Sequence, residues 1–255
     1  MHDLFDVTGK LALVTGSSRG LGRSLALALA QGGARVVLHG RDEAALAETR
    51  AAITEATGAD AAAVAFDVTD AAAVESAVSG IVAEHGVPDI LVNNAGLQRR
   101  APFTEFAVSD WDSIVASNLS SAFYVSRFVT PGMAERGSGK VINIGSVQSQ
   151  LARQTIAPYS ATKGGIVMLT KGMAADLARS NVQVNAISPG YFATEMNKAL
   201  VEDEAFNSWL INRTPAQRWG DFKELWGTLL YLASDASSFV SGQNIFVDGG
   251  MTAVV

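Results

Sequence analysis

Leu11-Ala12-Leu13-Val14-Thr15-Gly16-Ser17-Ser18-Arg19-Gly20-Leu21-Gly22 is the stretch on which the fold turns. Its first part, Leu11–Thr15, is a short apolar run of the kind that forms a strand covered on both faces. Its second part is a glycine turn, and the apolar segment Ser24–Ala30 behind it predicts a helix. Glycines let the backbone turn tightly and approach a ligand, while a helix start offers unpaired N–H groups and the positive end of a dipole. The spacing is Gly-x-x-x-Gly-x-Gly, not the Gly-x-Gly-x-x-Gly of the common dinucleotide fingerprint. A purely structural turn would look the same in isolation. The strand before it and the helix after it favour a phosphate-binding loop.

Working outward, apolar runs recur at Val36–His39, Ala62–Phe66, Ile90–Asn93, Val141–Ile144, Gln183–Ile187 and Asn244–Val247. Helix-length segments lie between them, among them Glu43–Thr57 and Ala71–Ala83. Strands alternating with helices imply parallel strands joined by right-handed crossovers, hence an α/β, doubly wound sheet with helices on both faces. No linker, repeat or break in composition interrupts the 255 residues, so 1–255 reads as one domain. Ligands of such sheets sit beyond the carboxyl ends of the strands, where the strand order reverses.

Composition narrows the function. With 48% apolar and 17% charged residues, the chain can bury a sizeable core. A net charge of −6 argues against nucleic acid, whose phosphates call for surplus Lys and Arg. Met1–Lys10 has two Asp and no apolar run, so neither a secretory signal nor a membrane span is expected, and the chain reads as cytoplasmic. There is no cysteine, and His2, His39 and His85 lack ligand spacing, so no metal is expected. Two catalytic patterns fail on context. Gly16-x-Ser18-x-Gly20 resembles a hydrolase nucleophile elbow, but no histidine follows His85 to complete a triad. Ser160-Ala161-Thr162-Lys163 has the spacing of a β-lactamase motif without its companion elements.

His39-Gly40-Arg41-Asp42 ends the second strand, where NAD binders place an acid on the ribose 2′-hydroxyl. Here Gly40 stands in that place with Arg41 beside it, and Arg19 lies in the glycine turn. Either arginine alone reads as a solvated charge. The pair, with the acid missing, predicts a 2′-phosphate and therefore NADP(H). Asp67 and Val68 follow the third strand, and Asn93-Asn94-Ala95-Gly96 the fourth. These residues either cap local turns or line the adenosine.

Among the four tyrosines, only Tyr159 has a cation at i+4, Lys163, one helical turn away. Ser146 closes the fifth strand, thirteen residues earlier. A free phenol titrates near ~10. A neighbouring ammonium is expected to lower that value and let Tyr159 act as acid in ketone reduction and base in alcohol oxidation. Ser146 would orient the substrate oxygen. Asn118, in the helical stretch Trp111–Phe128, suits either a local kink or a water-mediated proton relay to Lys163.

Together the glycine turn, Asn93-Asn94-Ala95-Gly96, Asn118, Ser146, Tyr159-x-x-x-Lys163, Pro189-Gly190 and Val247-Asp248-Gly249-Gly250 resemble the classical short-chain dehydrogenase/reductase family along nearly the whole chain. The resemblance implies a seven-stranded Rossmann sheet and a tetramer. It also implies cofactor contacts at Gly16, Ser18, Arg19, Gly20, Leu21, Gly22, Arg41, Asp67, Val68, Asn94, Ala95, Gly96, Tyr159, Lys163, Pro189, Gly190 and Thr194. Ala95-Gly96-Leu97-Gln98-Arg99-Arg100, Pro189–Asn197 and Thr214–Gly220 are most similar to the gluconate 5-dehydrogenase branch. That similarity implies a sugar acid, D-gluconate or 5-keto-D-gluconate, as substrate. An Arg fork suits a carboxylate, so Arg99 and Arg100 are either the clamp for it or two solvated loop residues. Gln148, Tyr191, Glu195, Met196 and Trp209 are further pocket candidates, with Ser146 and Tyr159 on the reacting oxygen. The alternatives are a related reductase, acting on 2-keto-3-deoxygluconate or a 3-oxoacyl carrier protein, and a catalytically idle NADP(H)-binding regulator.

Overall fold

In the first strand, β1 (Leu11–Val14), Leu11 and Leu13 join one apolar cluster and Ala12 and Val14 another, and all four are buried. A strand with a core on each side has no polar face to show, which is why its sequence runs apolar without alternation. In the computed structural model, which describes residues 2–193 and 198–255, the same division recurs. In β2 (Arg35–Gly40) Val36 and Leu38 face one cluster and Val37 the other, and in β4 (Ile90–Asn93) Ile90 and Val92 oppose Leu91.

With β3 (Ala62–Ala65), β5 (Gly139–Ile144), β6 (Val182–Pro189) and β7 (Asn244–Val247), these strands form one seven-stranded sheet in the order β3-β2-β1-β4-β5-β6-β7. Every neighbouring pair is parallel. The order reverses between β1 and β4, which opens a crevice beyond their carboxyl ends. One face is covered by α1 (Gly20–Gln31), α2 (Glu43–Thr57) and α9 (Trp226–Ala233), through Leu25, Leu29, Ile53, Leu229 and Leu232. The other is covered by α3 (Ala71–His85), α5 (Ser121–Arg136) and α6 (Ala157–Leu177), through Val78, Ile81, Val129, Met133 and Ala174.

Asp side chains cap two of the early helices: Asp42 accepts from Ala45 N, and Asp70 from Ala72 N and Ala73 N. Arg19, at the start of α1, gives its helix no side-chain cap. The uncapped helix end is the one that faces the crevice.

The helical stretch expected over Trp111–Phe128 departs from a single regular helix. It comprises α4 (Val108–Val115), a π turn (Ala116–Ser120) and α5, which runs on through Pro131 to Arg136. Two short helices, α7 (Lys198–Val201) and α8 (Glu204–Arg213), lie between β6 and α9. No helix among the described residues is long and apolar enough to cross a membrane.

Candidate active site

The glycine turn is fixed by its neighbours. Gly16 N donates to His39 Nδ1 at 3.0 Å, and His39 Nε2 is 3.1 Å from Phe66 O. The first bond requires a bare Nδ1, so the proton sits on Nε2 and is donated to Phe66. His39 is 2% exposed, and burial pushes its pKa down to about 4. Asn94 ties the turn to the end of β4: its Nδ2 donates to Thr15 O and Gly16 O, both at 3.0 Å. Thr15 Oγ1 accepts from Asn94 N and Ala95 N. Gly22 has to be glycine, because a Cβ there would lie 2.1 Å from Gly16 O and 2.4 Å from Asn94 Nδ2. The result is a tight turn at an uncapped helix end, a cradle suited to a pyrophosphate.

Gly40 is tight to a lesser degree: a Cβ would meet Ser18 Cβ at 3.0 Å and Ser18 Oγ at 3.1 Å. An acid at that position would press on the Ser18 side chain. The side chains of Arg19 and Arg41, both exposed, make no hydrogen bond among the described residues, and the charge of Arg41 acts on Asp67 nearby. Asp67 spends Oδ1 on Thr69 N and Thr69 Oγ1, which hold its carboxyl below the usual range. Val68 is buried beside it, and Gly190 N donates to Val247 O at 2.9 Å. Thr194, Glu195 and Met196 lie outside the described residues.

The histidine carries a testable consequence. Its folded pKa of about 4 lies below the unfolded value of about 6.5, so the unfolded chain binds more protons between those limits. Stability from a neutral His39 is complete above pH ~6.5, and roughly 3 kcal/mol is lost as pH falls to about 4. Denaturant melts of wild type and His39→Gln across that window will check this. Parallel curves would remove His39 as the cause.

At the carboxyl ends of β5 and β6, three polar side chains come together. Ser146 and Lys163 are buried, at 8% and 6% exposure. The Ser146 hydroxyl hydrogen bonds with the Tyr159 phenol, and Lys163 Nζ lies 5.6 Å from the centre of the Tyr159 ring. Lys163 also donates to Ile144 O at 2.7 Å. The expected lowering of the phenol's pKa by Lys163 is overturned. Burial raises Tyr159, with Ser146 lowering it and Tyr191 raising it further. The same burial pushes Lys163 down to about 8. Removing both groups from water costs their charged forms more than their mutual attraction returns. At neutral pH the resting tyrosine therefore holds its proton.

Asn118 is buried in the π turn. Its Oδ1 accepts from Leu97 N at 2.7 Å, while its Nδ2 donates to Leu97 O at 2.9 Å and to Thr162 Oγ1 at 3.3 Å. The amide thus anchors the loop after β4 and reaches the neighbour of Lys163, not Lys163 itself.

The two loop arginines part company. Arg99 Nε bonds Asp110 Oδ1 at 2.9 Å on the surface, so the expected two-residue fork is corrected. Arg100, also exposed, lies within electrostatic reach of Tyr191 and Arg153, and partial desolvation together with the like charge of Arg153 lowers its pKa. Arg153 drew no attention in the sequence because it belongs to no motif. Its only local signal is a basic residue between Ser146 and Tyr159. Tyr191 sits in an aromatic cluster with Phe206, Trp209 and Trp219, at centroid distances of 5.7, 6.4 and 6.0 Å. Gln148 Nε2 donates to the Tyr191 hydroxyl at 3.4 Å.

A separate cavity of about 440 Å³ opens at the amino edge of the sheet, beside Arg35, Arg50, Asp60, Glu84 and His85, and no candidate residue lines it. No group of three or more His, Asp or Glu among the described residues is arranged to hold a metal ion.

Residues 16–252 match the family model described as Enoyl-(Acyl carrier protein) reductase. The chain is 52% identical over 250 residues to the gluconate 5-dehydrogenase of Gluconobacter oxydans (strain 621H), covering 98% of this chain and 97% of that one. It is 51% identical to the 5-keto-D-gluconate 5-reductase of Escherichia coli (strain K12) over all 255 residues and the full length of both. A gluconate 5-dehydrogenase from Burkholderia cenocepacia J2315, crystallised in complex with NADP and tartrate, superposes with a TM-score of 0.96 at 51% identity, covering 100% of this chain and 99% of that one.

Proposed function

The chain belongs to the short-chain dehydrogenase/reductase family, and from that membership we propose that it is an NADP(H)-dependent oxidoreductase interconverting D-gluconate and 5-keto-D-gluconate. The observation that carries this reading is the meeting of Ser146, Tyr159 and Lys163 at the carboxyl ends of the strands, the edge of the sheet on which the glycine cradle also lies. Relatives of this identity named for those two sugar acids supply the substrate. The solved relative holding NADP and tartrate, a hydroxylated carboxylate, supports both halves of the site.

NADP(H), when bound, gives up or accepts the hydride. The backbone of Gly16, Ser18, Gly20, Leu21 and Gly22 receives its pyrophosphate, and Arg19 and Arg41 its 2′-phosphate. Asp67, Val68, Asn94, Ala95 and Gly96 would border the adenosine, and Lys163, Pro189 and Gly190 the nicotinamide end. In reduction, Tyr159 donates its proton to the carbonyl oxygen as negative charge develops there. Ser146 hydrogen bonds the same oxygen and fixes its position. Lys163 stabilises the phenolate left behind, and the path past Asn118 returns a proton. In oxidation the same groups act in reverse. Arg100 holds the carboxylate, with Gln148 and Tyr191 around the sugar chain.

The test is NADPH consumption with 5-keto-D-gluconate. Arg100→Ala should lower kcat/KM on that substrate about 30-fold, the worth of a charged hydrogen-bonding pair, and spare an uncharged ketone. An unchanged kcat/KM would remove Arg100 from the site. We also read the enzyme as a cytoplasmic homotetramer. Phe103, Trp111, Phe123 and Met168 lie exposed on or near α4, α5 and α6, an apolar surface suited to a second copy. Light scattering that gave the mass of one 26.6 kDa chain would rule the tetramer out.

A further inference from the structure

We propose that Arg153 is the second guanidinium of a carboxylate clamp, acting with Arg100 on the acid end of the substrate. This rests on the sugar-acid reading above. Four observations carry it. First, Ala101 N donates to Thr155 O at 3.2 Å, which ties the loop bearing Arg100 to the loop bearing Arg153. Second, Thr155 holds a φ of 69°, a left-handed conformation costly for a β-branched residue, so the second loop is kept in its path by its surroundings. Third, the Arg153 guanidinium lies over the Phe206 ring, with Cζ 5.0 Å from its centre, which fixes the plane in which its N–H groups point. Fourth, Arg153 Nε is buried with no acceptor, and Gln148 Oε1 nearby is buried with no donor.

A buried N–H without an acceptor costs free energy, and a ligand that brings an acceptor would recover it. Arg100 and Arg153 are also close enough to repel, yet neither has an acidic partner among the described residues. Two unneutralised guanidiniums, one with a fixed plane, match the two oxygens of a carboxylate. The free Gln148 oxygen matches a hydroxyl donor on the same molecule. Tyr191 connects the two ends of the pocket, since it interacts with Arg100, Arg153 and Tyr159. A ligand with its ketone at Tyr159 and a carboxylate at the other end of a short hydroxylated carbon chain fits this order of groups.

Arg153→Met keeps a side chain on Phe206 and deletes the donors. KM for 5-keto-D-gluconate should rise about 30-fold. With it, kcat should stay within about threefold and KM for cyclohexanone within about twofold. Arg153→Lys should recover part of the loss. A parallel rise for both ketones, or no rise for either, would overturn the clamp. Should Arg153→Met fail to fold, Arg153→Lys decides alone: a rise of about fivefold or more confined to the sugar acid supports the clamp, and equal KM values overturn it. Calorimetric titration of D-gluconate into the NADPH-loaded protein, a pairing that cannot exchange a hydride, separates the clamp from the reaction. Tight binding to wild type with weak binding to Arg153→Met supports the clamp even if 5-keto-D-gluconate is not reduced, an outcome that would fell only the assigned reaction. Equal binding to both proteins, or none to either, overturns the clamp.

Discussion

Tyr159→Phe is expected to lower kcat for ketone reduction by about 10²- to 10⁴-fold, the range spanned by loss of a positioned general acid. The substitution deletes one hydroxyl, whose protein partner is the Ser146 hydroxyl. Packing of the ring is untouched, so the melting temperature should move by no more than a few degrees. Cofactor affinity, measured by quenching of protein fluorescence, should change by less than about threefold, because the ring that borders the site remains. Loss of activity with cofactor binding intact separates proton transfer from folding. Retention of a tenth or more of wild-type turnover would mean that another group supplies the proton.

The pH profile follows from the same two groups. Burial raises Tyr159, so the phenol is protonated at neutral pH and ready for reduction. Oxidation needs the phenolate and should climb as pH rises. Lys163, pushed down to about 8, carries its charge below that value and loses it above. The reductive kcat/KM should therefore decline above about pH 8, since it reports the free enzyme.

The sheet was legible because its strands are covered on both sides. Ile90–Asn93 and Asn244–Val247 begin and end where their apolar runs do. β2, β5 and β6 start one or two residues before the runs that predicted them, at Arg35, Gly139 and Val182. Arg35 pairs with Leu11, and Lys140 with Ile90. Pairing with a neighbouring strand recruits residues that local hydrophobicity excludes, and no window along one strand contains that information. The π turn hid for the same reason. The Asn118 amide is engaged by Leu97, twenty-one positions earlier, and that long-range bond accompanies the break in the helix. Tyr159 and Lys163 were found from spacing alone, yet the sign of the phenol's shift was not, because i+4 spacing reveals a neighbour and not the depth of burial. Arg153 depends on a bond between two loops, Ala101 to Thr155, and left no trace in either loop's sequence.

Cofactor choice should turn on one surface residue. Arg41→Asp is expected to raise KM for NADPH about 100-fold or more while NADH changes by less than about threefold. The substitution removes a guanidinium that suits a 2′-phosphate and puts a like charge beside that phosphate, whereas a plain ribose 2′-hydroxyl can donate to a carboxylate. Arg41 is exposed and its side chain makes no hydrogen bond among the described residues, so its loss removes only its attraction for Asp67 from the fold. Gly40 is the less suitable place for the acid, since any side chain there would press on Ser18 within the phosphate-binding turn. A Gly40→Asp variant should therefore weaken both cofactors together. The contrast between neighbours makes the test specific: selective loss at position 41 and common loss at position 40 mark Arg41 as the 2′-phosphate contact. Equal losses of NADPH and NADH in Arg41→Asp would transfer that role to Arg19, the other guanidinium at the mouth of the cradle.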